Sequence, residues 1–155
     1  MNEIIQKDLN DFKSFLDQRN LDFMVVGSLA LLICGLEVEV HDIDMEIVCK
    51  NSKDEEVFKI LSDSQKNDFY KLKNEYDSFD RKPYIFRFGK SIINVWVYEE
   101  FTHKTFVYKD YIKYAGVMDV LRKKISYKRY KDVNFVLNLF KNILNIYDKS
   151  WVRNV

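Results

Sequence analysis

The chain has 155 residues, a length that favours a single domain with enough apolar surface to form a core. Hydrophobic residues make up 47% and aromatic residues 15%, and four Gly and one Pro leave little sequence for linkers, which excludes a disordered chain. The net charge of +1 hides an uneven distribution, because residues 1–100 carry 13 basic and 20 acidic residues, whereas residues 101–155 carry 12 and 4. We therefore predict one domain over 1–155, with an acidic core and a basic C-terminal part as two walls of one cleft.

The first half of the chain predicts helices alternating with strands. Apolar residues at helical spacing predict an amphipathic helix over 3–19, and a short apolar run predicts a buried strand over 23–26. That strand leads directly into a Gly-Ser turn and a helix-forming run at 29–33. Residues 41–48 then alternate apolar and acidic side chains, which predicts a strand with one apolar and one acidic face.

The second half predicts further strands followed by a helical end. We expect a surface helix over 53–64 and then a hairpin of two strands, 84–88 and 91–98. Short strands or an irregular connection follow over 104–115, and two helices over 117–126 and 130–147 end the chain. One face of the last helix carries the apolar residues Val133, Val136, Leu137, Phe140, Leu144 and Tyr147. The order predicts an α+β fold, a small mixed β-sheet with helices on one side and a C-terminal helical extension.

The number of cysteines and the length of the apolar stretches indicate the redox state and the compartment of the protein. Two cysteines are too few for a disulfide framework, so we expect Cys34 and Cys49 to be reduced and packed. The longest apolar stretch, 23–36, is too short to span a bilayer, and the acidic segment before it is unlike a signal peptide. We expect a cytoplasmic protein with no membrane partner, and the sequence leaves its oligomeric state open.

The acidic strand is the first candidate for chemistry. Asp42, Asp44 and Glu46 share one face, with successive residues of the row roughly 6.5–7 Å apart. Like charges in a row repel unless solvent or a cation lies between them. Mg²⁺ commonly takes one or two carboxylates together with substrate phosphates. The row is therefore either a metal site or the solvated face of an edge strand.

The Gly-Ser turn is the second candidate. A glycine after a strand lets a phosphate approach the backbone, and the Ser28 hydroxyl adds a donor. Gly27 and Ser28 precede the acidic strand by one helix, and Asp42 lies 14 residues after Ser28. The pair could also be a plain turn, but together with the aspartates it predicts a phosphate cradle beside a metal site.

With Gly27-Ser28, a short helix and Asp42-Ile43-Asp44, the sequence resembles the DNA polymerase β-like nucleotidyltransferase superfamily. The most similar variety is the small bacterial group of minimal nucleotidyltransferases and abortive-infection toxins. A second match is the run from Leu121 to Lys124 followed by Arg129-Tyr130-Lys131-Asp132, which resembles the C-terminal helical signature of that group. The resemblance covers most of residues 22–140, although only the strand pattern matches in the middle.

The resemblance implies a nucleotidyl-transfer site. In that family the Gly-Ser pair holds the triphosphate of a nucleotide and the two aspartates bind Mg²⁺, while a third carboxylate on a later strand completes the metal site. It also implies that basic residues of the C-terminal signature contact phosphates, here Lys123, Lys124, Arg129 or Lys131. These residues could equally form a solvated basic helix face.

The sequence departs from the family pattern at the third carboxylate. Strand alternation places Asn94 beside the aspartates, and no Asp or Glu occurs in 81–98. An amide oxygen coordinates a cation weakly and is no general base at neutral pH. A second departure precedes the aspartates, where Val38 and Val40 stand in place of the arginine and threonine common in the group. A different base, such as Glu46 or a substrate group, would then be needed for catalysis.

Two functions follow as hypotheses. The first is an Mg²⁺-dependent nucleotidyltransferase that binds a nucleoside triphosphate and acts on an RNA, a protein or a small molecule. The alternative is a catalytically impaired homologue, a pseudoenzyme that binds nucleotide or a protein partner, for example in toxin–antitoxin or phage defence. We expect a core or surface role for His41, and packing rather than base stacking for Trp96, which shares the face of Asn94.

Overall fold

Helix α1, Glu3–Asp17, begins where the side chain of Asn2 accepts a hydrogen bond from the backbone N–H of Ile4. The computed structural model describes residues 1–69 and 75–153, with side chains described to residue 142. The helical spacing of the apolar residues puts three large side chains of α1 into the core, Leu9, Phe12 and Leu16.

The other elements follow the predicted order closely. They are β1 (Phe23–Val26), α2 (Gly27–Ile33), β2 (Ile43–Val48), α3 (Ser52–Ser64), β3 (Tyr84–Phe88), β4 (Ser91–Tyr98), β5 (Phe106–Lys109), β6 (Ile112–Ala115), α4 (Val117–Ser126) and α5 (Tyr130–Arg153). The strands predicted at 23–26, 84–88 and 91–98 are confirmed. The acidic strand is shorter than predicted, because 41–42 precede β2.

The structure defines the elements more closely in the region 104–115 and at the end of the last helix. The region 104–115 forms the paired strands β5 and β6, joined by a turn in which Asp110 and Tyr111 have positive φ. The last helix extends beyond the predicted end at 147. The side chains of Leu144 and Tyr147, which were predicted on its apolar face, lie outside the described side chains.

The six strands form one mixed sheet in the order β3-β4-β2-β1-β6-β5. The pairs β2–β4 and β1–β6 are parallel, and the other neighbouring pairs are antiparallel. The mixed sheet and its helices confirm the α+β class.

One face of the sheet is apolar and carries α1 and α3. Strand alternation puts the apolar residues of β2 on this face, and Phe86 of β3 lies on it too because it pairs with Ile93. The ring of Phe86 lies 5.8 Å from that of Phe12 in α1 and 6.4 Å from that of Phe58 in α3. The opposite face therefore carries the polar side chains of β2 and β4.

The chain divides into two compact units, residues 1–120 and residues 121–155. The first contains the sheet with α1, α2 and α3, and the second contains most of α4 and all of α5. In the described part of the chain, none of the helices combines the length and the apolar character needed to cross a membrane.

Candidate functional site

The polar face of β2 and β4 brings Asp42, Asp44 and Asn94 together. Asp44 and Asn94 are direct neighbours in the parallel pairing of the two strands. The amide nitrogen of Asn94 donates to Oδ2 of Asp42 at 2.7 Å and to Oδ1 of Asp44 at 2.8 Å. Both carboxylate oxygens are thus neighbours of one nitrogen atom, and the two carboxylates converge on a single point.

The side-chain amide of Asn94 has hydrogen-bond partners at its nitrogen but none among the described residues at its oxygen. Its side chain is buried, with 1% of its surface exposed. Among the described residues, its Oδ1 is the only buried side-chain nitrogen or oxygen without a hydrogen-bond partner. An unsatisfied buried acceptor is costly, so it marks a position where a donor from a further ligand would gain an interaction.

Gly27 lies directly against this cluster. Its φ is +66°, a conformation that favours glycine, and a Cβ added there would lie 2.4 Å from Oδ2 of Asp44. Val26, the residue before it, pairs with Asp44 across the β1–β2 ladder. Ser28 follows in the first turn of α2 and is half-buried. The structure therefore brings the Gly-Ser turn and the aspartates together.

Glu46, the third acid of the row, faces a different neighbourhood. Its carboxylate accepts hydrogen bonds from the backbone N–H of Thr102 at 2.9 Å and of His103 at 3.3 Å, and from the Thr102 hydroxyl. His103 Nδ1 lies 3.0 Å from its Oε2. These partners hold Glu46 on the segment after β4, so its carboxylate is not available as the alternative base that the sequence suggested.

The pKa of Glu46 reflects this environment. Burial acts to raise the pKa of the carboxyl, but the hydrogen bonds and charge of His103 and the hydrogen bond from Thr102 outweigh it. The net result is a pKa of Glu46 below its ordinary value. The charged carboxylate is therefore the form that the fold stabilises.

Trp96 lies on the same face as Asn94 and has a packing role. Its ring is stacked on Phe79 with centroids 5.7 Å apart, and it meets Tyr76 edge-on at the same distance. Its indole N–H donates to the backbone carbonyl of Arg81 at 3.0 Å. The buried ring covers the sheet, as expected.

His41 has no place in the aspartate cluster. It precedes β2 and is exposed, and its Nε2 lies 3.3 Å from a carboxylate oxygen of Glu39. The two cysteines are free thiols, and burial raises the pKa of Cys49 to about 11. Neither cysteine has the low pKa of a reactive thiol.

The basic residues of the C-terminal signature belong to the second unit. Within it, Nζ of Lys124 lies 3.7 Å from the buried carboxylate of Asp132, and Nε of Arg129 lies 2.5 Å from the same group. Lys131 is exposed. Two of the four residues expected to contact phosphate, Lys124 and Arg129, thus share a buried acidic partner.

The residues of the cluster limit what could bind there. In the part of the chain that the structure describes, no group of three or more His, Cys, Asp or Glu side chains is arranged to hold a metal ion. Two carboxylates and one amide converge instead, and a reversed amide would present Oδ1 next to both carboxylates. Such an all-oxygen set suits a hard cation such as Mg²⁺ that also binds phosphates.

Sequence reasoning did not identify the Glu46–His103 pair or its Thr102 partner. Glu46 and His103 are 57 positions apart in the chain, and no periodicity links a strand residue to a connecting segment. The only available signal was an acid on a strand that also carries buried apolar residues. Such an acid needs a partner.

Comparison with known proteins finds no matching family model, no matching curated protein and no matching solved structure for this chain.

Proposed function

We propose that this protein binds Mg²⁺ and a nucleoside triphosphate at Gly27, Ser28, Asp42 and Asp44, and that it transfers a nucleotide to an RNA, protein or small-molecule acceptor. The observation that carries the proposal is the convergence of Asp42 and Asp44 on the amide of Asn94, whose buried Oδ1 has no partner among the described residues. The resemblance to the nucleotidyltransferase superfamily supplies the chemical class.

The donor set fits Mg²⁺. Asp42 and Asp44 would hold the ion, and rotation of the Asn94 amide by half a turn would exchange its N–H groups for the unpartnered oxygen. A bound divalent cation would neutralise phosphate charge and favour in-line attack of the acceptor group on the α-phosphorus, from which pyrophosphate would leave. With only two carboxylates bound, the ion would keep coordination positions free for phosphate oxygens, which are common ligands of Mg²⁺ in proteins.

The residues of the chain itself would bind and orient the nucleotide. Gly27 has no side chain where its backbone approaches Asp44, so the Asp44 carboxylate lies directly against the turn that would receive the phosphates. The Ser28 hydroxyl would donate to a phosphate oxygen. Asn94 cannot accept the proton of an attacking hydroxyl, because an amide is not basic at neutral pH.

A second candidate function is nucleotide binding without transfer. Two observations favour it: an amide stands beside the aspartates where a third carboxylate is expected, and Glu46 is held by Thr102 and His103. Loss of a catalytic carboxylate lowers the rate by orders of magnitude. Such a protein would act as a binding module, with the toxin–antitoxin or phage-defence setting suggested by the family resemblance alone.

Calorimetric titration tests binding. We expect Mg²⁺ and a nucleoside triphosphate to bind the wild type together and more weakly when either is omitted. Asp42→Asn should lower the nucleotide affinity in Mg²⁺ by at least roughly tenfold. Glu56→Gln, an exposed acid on α3, is the matched control and should leave the affinity unchanged. An affinity indifferent to Asp42→Asn would contradict the proposed site.

Nucleotide transfer separates the two candidate functions. Wild type and Asn94→Asp are incubated with each labelled triphosphate, Mg²⁺, and total RNA or protein as acceptor. Labelling by the wild type supports an active transferase. Labelling only by Asn94→Asp supports binding without transfer as the natural function.

A further inference from the structure

Helix α5 exposes a row of large apolar side chains. Val133, Leu137 and Phe140 are 39%, 61% and 48% exposed, although they follow one another on a single helix face. The described side chains of α5 also include buried ones, Asp132 and Val136. Asp132 faces α4, where it meets Lys124. The exposed row therefore lies beside the face of α5 that packs within its own unit.

The sequence continues this row to the end of α5. The apolar residues recur at alternating intervals of four and three residues, Val133, Leu137, Phe140, Leu144, Tyr147 and Trp151. This is the a/d pattern of a coiled coil, sustained over about three heptads. A repeat of 3.5 residues keeps the row aligned with a second helix that carries the same repeat. We call these six residues the α5 seam.

Charge identifies the kind of helix that fits the α5 seam. Residues 121–155 carry nine Lys and Arg and only two Asp and Glu. Of the two acids, Asp132 is buried against Lys124 and Arg129, and Asp148 follows Tyr147 of the seam. Lys141, which follows Phe140, is exposed at the rim of the seam. A second copy of this chain would bring the same excess of positive charge against it, which is unfavourable.

We propose that the α5 seam binds an acidic amphipathic helix of another protein. The apolar face of that helix covers the seam, and its flanking carboxylates meet the basic residues of 121–155. Such helices are recognised through apolar anchors at one helix face, with charges at the rim that select the partner. This inference does not depend on the proposed site at Gly27, Ser28, Asp42 and Asp44, because none of those residues lies in 121–155.

Binding of designed peptides tests the proposal with the full chain. One labelled peptide of four heptads carries Leu at a and d and Glu at e and g, and its counterpart carries Lys at e and g. By fluorescence anisotropy we expect the acidic peptide to bind at least about tenfold more tightly than the basic one. Equal affinities, or no binding of the acidic peptide, would overturn the proposal.

Variants of the exposed face give the matched comparison. Leu137→Glu combined with Phe140→Glu should weaken binding of the acidic peptide at least about tenfold. Asn138→Glu combined with Asn142→Glu adds the same charge at exposed positions outside the seam and should change the affinity less than about threefold. Circular dichroism checks that both double variants retain their helices. Equal losses in the two variants would show that charge alone acts, and would refute the seam.

The other possible occupants give distinct results. Light scattering after gel filtration should show a monomer in the absence of peptide. A dimer that Leu137→Glu with Phe140→Glu converts to a monomer would assign the seam to a second copy and overturn the proposal. Seam-dependent binding to phosphatidylserine vesicles, without binding to the acidic peptide, would assign it to a membrane surface and also overturn it.

Discussion

The imidazole Nδ1 of His103 lies 3.0 Å from the carboxylate of Glu46, and only 3% and 4% of the two side chains are exposed. Glu46 lies on β2 two residues beyond Asp44, and His103 lies on the segment that follows β4. The pair therefore attaches that segment to the polar face of the sheet. Burial acts against the charged carboxylate, but His103 and Thr102 together outweigh it.

Replacing Glu46 with Gln should destabilise the protein. Gln retains one acceptor but loses the charge that strengthens the bonds from Thr102 and His103. We expect the free energy of unfolding to fall by about 2 kcal/mol, measured by urea denaturation. Glu56→Gln on exposed α3 should change it by less than about 0.5 kcal/mol. Equal effects of the two substitutions would contradict a structural role for the buried pair.

The pair should also contribute to acid sensitivity. Because the pKa of Glu46 is lowered in the folded state, the folded protein binds fewer protons at this group than the unfolded chain. Its stabilising contribution is present above the ordinary pKa of a glutamate and is lost as the pH falls through the lowered value. Unfolding measured at successive pH values should therefore show a steeper acid loss for wild type than for Glu46→Gln. Parallel curves would show that Glu46 has the same pKa in both states.

Gly27→Ala should disturb the aspartate cluster. The added Cβ would lie 2.4 Å from Oδ2 of Asp44, so the carboxylate must move, and the positive φ adds strain of about 1–3 kcal/mol. Gly35→Ala is the control, because Gly35 also has positive φ, but among the described residues beyond its chain neighbours no atom lies within 4 Å of such a Cβ. Both variants should lose stability, whereas only Gly27→Ala should weaken Mg²⁺-dependent nucleotide binding in calorimetry. Equal binding losses would mean that strain, and not contact with Asp44, is responsible.

Asp8 should stabilise the attachment of α1 to the sheet. Its buried carboxylate accepts hydrogen bonds from the Ser91 hydroxyl at 2.6 Å and from the backbone N–H of Lys90 at 3.0 Å. Asp8→Ala leaves both donors without that partner and should lower the free energy of unfolding by about 2–4 kcal/mol. Asp11→Ala, at an exposed position of the same helix, should cost less than about 1 kcal/mol. Chemical denaturation of the two variants decides between these outcomes.

Asn94→Asp should make stability depend on divalent cations. The variant brings three carboxylates together and loses the amide donors to Asp42 and Asp44, so we expect a lower Tm in EDTA. Mg²⁺ should raise the Tm of the variant more than that of the wild type, because an ion bound only to the folded state stabilises it. Thermal unfolding with and without Mg²⁺ measures this difference. An identical Mg²⁺ response would show that position 94 does not face the ion.

The local elements and the cluster of Gly27, Asp42, Asp44 and Asn94 could be predicted because each rests on a short-range rule. A period of two puts Asp44 and Glu46 on one face of β2, and the same rule applied to β4 selects Asn94. A glycine directly after a buried strand indicates a tight turn. The predicted strand bounds agree with the structure at 23–26, 84–88 and 91–98, and they differ at Asp42, where the chain leaves the ladder.

The sequence alone determined the α+β class, the order of the strands along the chain and the side chains that share each face, since these depend on residue periodicity. Only the tertiary structure decided how those faces are used. It joined Glu46 to His103, tied Asp8 to the turn after β3, and turned the amide nitrogen of Asn94 toward both aspartates. These contacts link residues 50 or more positions apart, and their partners are selected by the burial of polar groups that must be satisfied, which local sequence patterns do not encode.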